Sequence, residues 1–358
     1  MKQHIISLTK KLISIRSTPD NRKALDSILS LIIDQLKDFT TERFENNGVK
    51  SVLIYNSKKR PRRFKILLNG HLDIIPGKDY QYSAYVKNNR LYGVASMDMK
   101  SSVASHVLLF KELASKLNYP LGLQLVTDEE IGGFNGTKYQ IDRGVRSEFV
   151  IVGESTNLNI ENKSKGILWA TVTAPGKTAH GAYPWKGENA IWKMQRFLAG
   201  LHKKYPEYRK EKWATTINVS KIEVTNETFN KIPDNCKVSL DIRFVPEDSE
   251  IIIQKLRKLL PDTFKLDIIL KEPAFSTKKN NPYLKLLKKF TGEITKKKTS
   301  VLAAHGSSDL RHFARVQCNG IEFGPVGKGM GSDNEWVDTK SLETYYKILK
   351  TFLLSLNK

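Results

Sequence analysis

Phe64-Lys65-Ile66-Leu67-Leu68-Asn69-Gly70-His71-Leu72-Asp73 is an apolar run that gives way to a histidine and, two residues on, an aspartate. The pattern recurs along the first half of the chain. Residues 121–126 run apolar into Asp128-Glu129-Glu130, and residues 149–152 run apolar into Gly153-Glu154. Between the first two, Asp98 stands in Met97-Asp98-Met99-Lys100, just ahead of an amphipathic helix expected over 101–117. Strand, polar side chain, helix, strand, polar side chain is the order of an α/β sheet with mostly parallel strands. Such sheets bind ligands at the edge where the strands end. His71, Asp98, Glu129, Glu130 and Glu154 are therefore expected at one edge.

Nitrogen and oxygen donors of this kind suit zinc, cobalt or manganese. A two-metal hydrolase needs a bridging carboxylate, terminal ligands on each ion and a base for the attacking water, with the ions about 3.5–4 Å apart. Asp98 suits the bridge and His71 a terminal position. Asp73 is placed to fix the tautomer of that imidazole. Neighbouring side chains diverge, so one of Glu129 and Glu130 ligates while the other serves as base. Taken singly, each residue has an ordinary explanation: a structural histidine, a helix-capping aspartate, a solvated Glu-Glu pair. Their shared position at successive strand ends argues for a site.

The chain extends outward from this region in two textures. Helices are expected over 5–15 and 25–36, and strands over 52–55 and 64–68. After Lys165-Gly166 come a strand at 168–173, a helix at 188–201, strands at 215–222 and 238–244, a helix at 249–260 and a strand at 264–270. That is the order of a ferredoxin-like α+β domain. From residue 282 the first texture resumes, with a helix at 283–291, a turn-rich 304–309, a strand at 320–323 and a closing helix at 339–356. The expected architecture is a mostly parallel α/β catalytic domain, residues 1–165 and 273–358, interrupted by a ferredoxin-like domain over 166–272.

These motifs resemble the metallopeptidase and deacylase family that includes acetylornithine deacetylase, succinyl-diaminopimelate desuccinylase, aminoacylase and glutamate carboxypeptidase. The likeness rests on His71-Leu72-Asp73-Ile74-Ile75-Pro76, on Gly93-Val94-Ala95-Ser96-Met97-Asp98-Met99-Lys100, on Glu129-Glu130-Ile131-Gly132-Gly133 and on Gly153-Glu154-Ser155-Thr156. It implies that His71 and Glu154 hold one ion, Asp98 bridges, Glu130 holds the second ion and Glu129 is the base. It also implies a cis peptide after Asp98. In the middle domain, Gly176-Lys177-Thr178-Ala179-His180-Gly181 resembles a lid motif whose histidine reaches the substrate, often across a dimer. Asn218 resembles an asparagine of the same surface, and Arg243 in Leu240-Asp241-Ile242-Arg243 the arginine that takes a substrate carboxylate. A salt bridge along the strand is the plainer reading of Arg243. Gly306, in Gly306-Ser307-Ser308-Asp309-Leu310-Arg311, resembles a substrate loop.

One motif departs from the family. In Gly331-Ser332-Asp333-Asn334-Glu335, glycine stands where the resemblance places a metal-binding histidine. The second ion would keep Asp98, Glu130 and water unless Asp333, Glu335 or His305 moves in. The implied function is metal-dependent hydrolysis of an amide bond in an N-acyl amino acid or small peptide with a free carboxylate, using one or two ions per chain. The alternative is a relative that binds such ligands without turnover.

Composition limits other readings. The net charge is +22, but the basic residues are scattered, with short runs at Lys58-Lys59-Arg60 and Lys296-Lys297-Lys298. No aromatic–basic stacking pattern accompanies them, so no nucleic-acid partner is expected. No stretch approaches the roughly 18–20 apolar residues of a membrane span. Cys236 and Cys318 lie far apart in no metal-type spacing, which suits a reducing cytoplasm. A homodimer through the middle domain is implied by likeness.

Overall fold

The computed structural model describes residues 1–357 and divides into two compact units. The first contains residues 1–163, 276–303 and 308 onward, the second 164–275 together with 304–307.

In the first unit, neighbouring strands run in the order Thr40–Asn46, Val49–Tyr55, Leu121–Val126, Phe64–His71, Ser147–Val152 and Asn319–Glu322. The last four pair in parallel, and the first two join them antiparallel. The parallel strands are covered on both faces, which is why they read as unbroken apolar runs. Their register puts His71 opposite Val126 and Asn69 opposite Val152. The segments carrying His71, Glu129-Glu130 and Glu154 therefore leave the sheet at one edge.

Helices Lys2–Ile13, Ser101–Leu113 and Thr339–Ser355 pack on one another in the main core, and Pro282–Thr295 packs on the last of them. The sequence sets their starts. Asn281 accepts the Tyr283 N–H at 3.0 Å ahead of Pro282, and Asp338 accepts the Ser341 N–H at 2.6 Å. The helix expected over 101–117 stops at Leu113 and tightens into a turn over Ala114–Lys116. Among the described residues, no helix is long and apolar enough to cross a membrane.

The second unit runs strand Gly166–Pro175, helix Ala190–Lys204, strands Thr216–Glu223 and Asn235–Phe244, helix Ile252–Arg257 and strand Lys265–Glu272. This is the ferredoxin-like order, on a wholly antiparallel sheet. In space the strands lie Thr216–Glu223, Asn235–Phe244, Gly166–Pro175, Lys265–Glu272. Strand alternation divides Asn235–Phe244 cleanly. Cys236, Val238, Leu240, Ile242 and Phe244 bury against Met194, Phe197 and Leu201, while Asp241 and Arg243 take the opposite face. The helix expected over 249–260 is confined to Ile252–Arg257.

Candidate active site

His71 ends its strand almost fully buried. Its Nδ1 lies 2.9 Å from the Asp73 carbonyl oxygen, which can only accept, so Nδ1 carries the proton. Nε2 then turns to Asp98 Oδ1 at 3.2 Å and Glu154 Oε1 at 3.9 Å. One ligand atom from each of these three residues lies within 4.8 Å of the others. A neutral imidazole and two carboxylates converging in this way fit a divalent cation.

Asp73 meets the imidazole through its backbone. Its backbone carbonyl, not its carboxylate, holds the imidazole N–H; the carboxylate stands off at 3.6 Å. That carboxylate instead accepts the backbone N–H of Glu129 at 3.2 Å and of Glu130 at 2.9 Å. One residue thus fixes both a ligand and the acidic pair. The pair sits on a short turn closed by Gly132 and Gly133, both with positive φ. The Gly132 carbonyl accepts from Arg311 Nη2 at 2.7 Å and from His312 Nε2 at 3.0 Å. Arg311 Nη1 stands 3.7 Å from Glu129 Oε1.

Gly133 permits this closure. A Cβ there would fall 2.1 Å from Asp309 Oδ1, at a φ of +63° that side chains resist. Asp309 is buried and its other oxygen, Oδ2, accepts from Thr137 Oγ1 at 2.5 Å, which leaves it little room to yield. Gly133→Ala is expected to cost roughly 2–5 kcal/mol, combining left-handed strain with overpacking. Urea unfolding measures it, and a loss within about 0.5 kcal/mol, typical of neutral surface changes, would show that the turn has slack.

The Asp98 loop is held from several sides. Glu335, nearly fully buried, accepts the backbone N–H of Ala95 at 3.1 Å, Met97 at 2.7 Å and Asp98 at 3.1 Å. Ser155 Oγ donates to the Met97 carbonyl at 2.8 Å. Buried Lys100 donates to the Leu12 and Ile15 carbonyls at 2.8 and 3.0 Å. The Asp98–Met99 peptide is cis. Glu335 therefore shapes the loop and is not free to replace a ligand. Asp333 is half exposed and paired with Lys78. His305 lies in the second unit, 3.2 Å from Glu211.

The electrostatics also call for a cation. Burial pushes Asp73 up to about 6, Glu335 to about 7 and Glu130 to about 8, and holds Glu154 well above the carboxylate range. Burial alone would lower His71, but Asp98 and Glu154 reverse this and keep it well above its ordinary value. Asp98 resists burial through His71 and is lowered. A divalent ion would offset this crowding of negative charge. The consequence for stability has a definite sign. An acid whose pKa rises on folding stabilises the fold least once both states are ionised, and His71 loses its contribution in the same direction. The metal-free chain is expected to lose melting temperature as pH rises from about 5 to about 8, and saturating zinc to remove the slope. A flat or rising profile for the stripped protein would contradict this charge balance.

The remaining expected residues lie in the second unit. His180 is exposed, and its Nδ1 accepts the Ala182 N–H at 3.1 Å, so the neutral ring carries its proton on Nε2. Asn218 is exposed on the edge strand opposite Asp241. Arg243 Nε donates to Asp241 Oδ1 at 2.9 Å, the strand salt bridge of the plainer reading. It also lines a cavity of ≈ 430 Å³ with Lys165, Arg209, Lys210, Lys212 and His305. Gly306 is exposed, with open space where a Cβ would sit.

The family model of peptidase family M20/M25/M40 matches residues 67–355. The chain belongs to this family. The M20 assignment makes it a metal-dependent hydrolase of amide bonds and favours that reading over a ligand-binding relative without turnover. A succinyl-diaminopimelate desuccinylase of Pelagibacter ubique is 30% identical, over 79% of this chain and 80% of its own. Among solved structures, aminopeptidase PepT from Bacillus cereus shares the M20 fold at a TM-score of 0.82 and 17% identity, covering 100% of this chain and 99% of its own. The YXEP protein of Bacillus subtilis, a dinuclear metal-binding M20 peptidase, aligns at a TM-score of 0.72 and 11% identity, covering 99% and 98%. The sequence reading had named His71, Asp98 and Glu154, the three residues that the structure brings together. It missed Arg311 as a support of the acidic turn, although Arg311 lies in the Gly306–Arg311 motif it had marked.

Proposed function

We propose that the protein removes the acyl group from an N-acyl amino acid bearing a free carboxylate, with zinc as the resident ion and cobalt or manganese as substitutes. N-succinyl amino acids are the first substrates to test. The convergence of His71 Nε2, Asp98 and Glu154 beside the acidic pair carries this reading. A bound ion would polarise the substrate carbonyl and acidify water. Glu129, kept at its post by Asp73 and Arg311, takes the proton of the attacking water. His180 acts as a donor from Nε2 to the developing oxyanion. Arg243, Asn218 and the Gly306 loop receive the carboxylate end, and the basic lining of the Arg243 cavity supports an anionic substrate.

The ferredoxin-like unit serves as lid and dimer contact in this proposal. Its support is the edge strand Thr216–Glu223, with Val219 and Ile222 exposed, and the exposed Trp185 and Trp192 on the same unit. Two free cysteines suit a cytoplasmic protein. The decisive assay follows succinate release from N-succinyl-diaminopimelate alongside N-acetyl amino acids and dipeptides. Turnover with zinc, abolished by a chelator, is expected. No turnover on any of these classes would overturn the proposal.

A further inference from the structure

We propose that this chain keeps one tightly held metal ion, on His71, Asp98 and Glu154, and that the second metal position of its dinuclear relatives is a weak site here. The inference rests on the reading of those three residues as ligands. Among the described residues, theirs is the one grouping of histidine, cysteine and carboxylate atoms close enough to hold an ion on three side chains. A second ion beside Asp98 would need two further ligands from the chain. Glu130, on the turn whose backbone Asp73 fixes, is the candidate for one.

Three acidic neighbours are engaged. Asp73 accepts two backbone N–H groups, Glu335 accepts three, and Asp333 pairs with Lys78. Glu129 is oriented by Arg311 at 3.7 Å and is assigned the role of base. Freeing Glu335 would orphan the N–H groups that shape the Asp98 loop, so ligation by Glu335 would undo the first site to build the second. Gly331 is the position that contributes nothing. It lines a cavity of ≈ 300 Å³ with Ile75, Val94 and Glu335. A Cβ there would meet only Ile75 Cδ1, at 3.7 Å. Its φ of +65° is one that histidine adopts more readily than most residues. Affinity depends on ligand number and geometry, so a site with Asp98 and Glu130 alone should lose its ion on desalting.

Elemental analysis of the full chain, loaded with zinc and desalted, tests this. About one zinc per chain is expected, unchanged in Glu130→Gln and lost in Glu154→Gln. Gly331→His is expected to raise the content to about two. Two zincs in the unaltered chain, falling to one in Glu130→Gln, would overturn the inference while leaving the hydrolase reading intact. No retained zinc in a folded chain would overturn both. Manganese loading followed by desalting and electron paramagnetic resonance gives an independent answer: an isolated-ion spectrum supports the inference, and an exchange-coupled pair retained after desalting refutes it.

Discussion

Glu129→Gln is expected to lower kcat by roughly 10²–10⁴-fold, the usual contribution of a general base. KM and metal content should change little. Glutamine preserves the volume of the side chain and the backbone N–H that Asp73 accepts. It removes only the capacity to take a proton. The contact with Arg311 Nη1, at 3.7 Å, is long enough to keep the carboxylate oriented without fully occupying it. Metal retention should survive because the three converging ligand atoms belong to His71, Asp98 and Glu154. Steady-state kinetics with metal analysis of the same preparation decides the matter. An unaffected kcat would move the base to Glu130, whose own substitution by glutamine would then show the loss.

Glu335→Ala is expected to be the most damaging change outside the ligands. It strands the N–H groups of Ala95, Met97 and Asp98 in a buried loop. An orphaned buried donor costs roughly 1–3 kcal/mol, and relaxation shares the loss, so the sum should be roughly 3–5 kcal/mol. Metal affinity should fall about 10–100-fold, as it does when outer partners of ligands are removed. Urea unfolding of the metal-free chain reads the first effect, and zinc titration against a competing chelator reads the second. Lost stability with unchanged affinity would mean that Asp98 keeps its place without Glu335. Glu335→Gln should fall between, since its amide oxygen still accepts.

The parallel centre of the fold was legible because full burial demands unbroken apolar strands, and the ligands stood out where those runs gave way. Polar strands were less visible. Thr40–Asn46 was missed because only Phe44 is buried in it, leaving no alternation to detect. The hairpin joining Tyr85–Lys87 to Arg90–Tyr92 turns on Asn88 and Asn89, both at positive φ, a signal present in the sequence but not weighed. In the site, residue types were readable and their partners were not. Asp73 was expected beside the His71 imidazole, but a carbonyl holding the ring while the carboxylate holds the Glu129-Glu130 backbone was not. Glu335 bonds backbone groups some 240 positions earlier. Such a bond leaves no local pattern, because any sequence offers the same N–H.

The dependence of the Asp98 loop on Glu335 also sets an order of events during synthesis. At roughly 5–20 residues per second, the ribosome adds residue 335 about ten to fifty seconds after residue 98. For most of that interval His71, Asp98 and Glu154 have all been made, but the carboxylate that shapes the Asp98 loop has not. On the proposed reading, metal insertion is thus a late step, expected only after residue 335 has been added. Nascent chains and products stopped before residue 335 carry His71, Asp98 and Glu154 without the carboxylate that shapes the Asp98 loop.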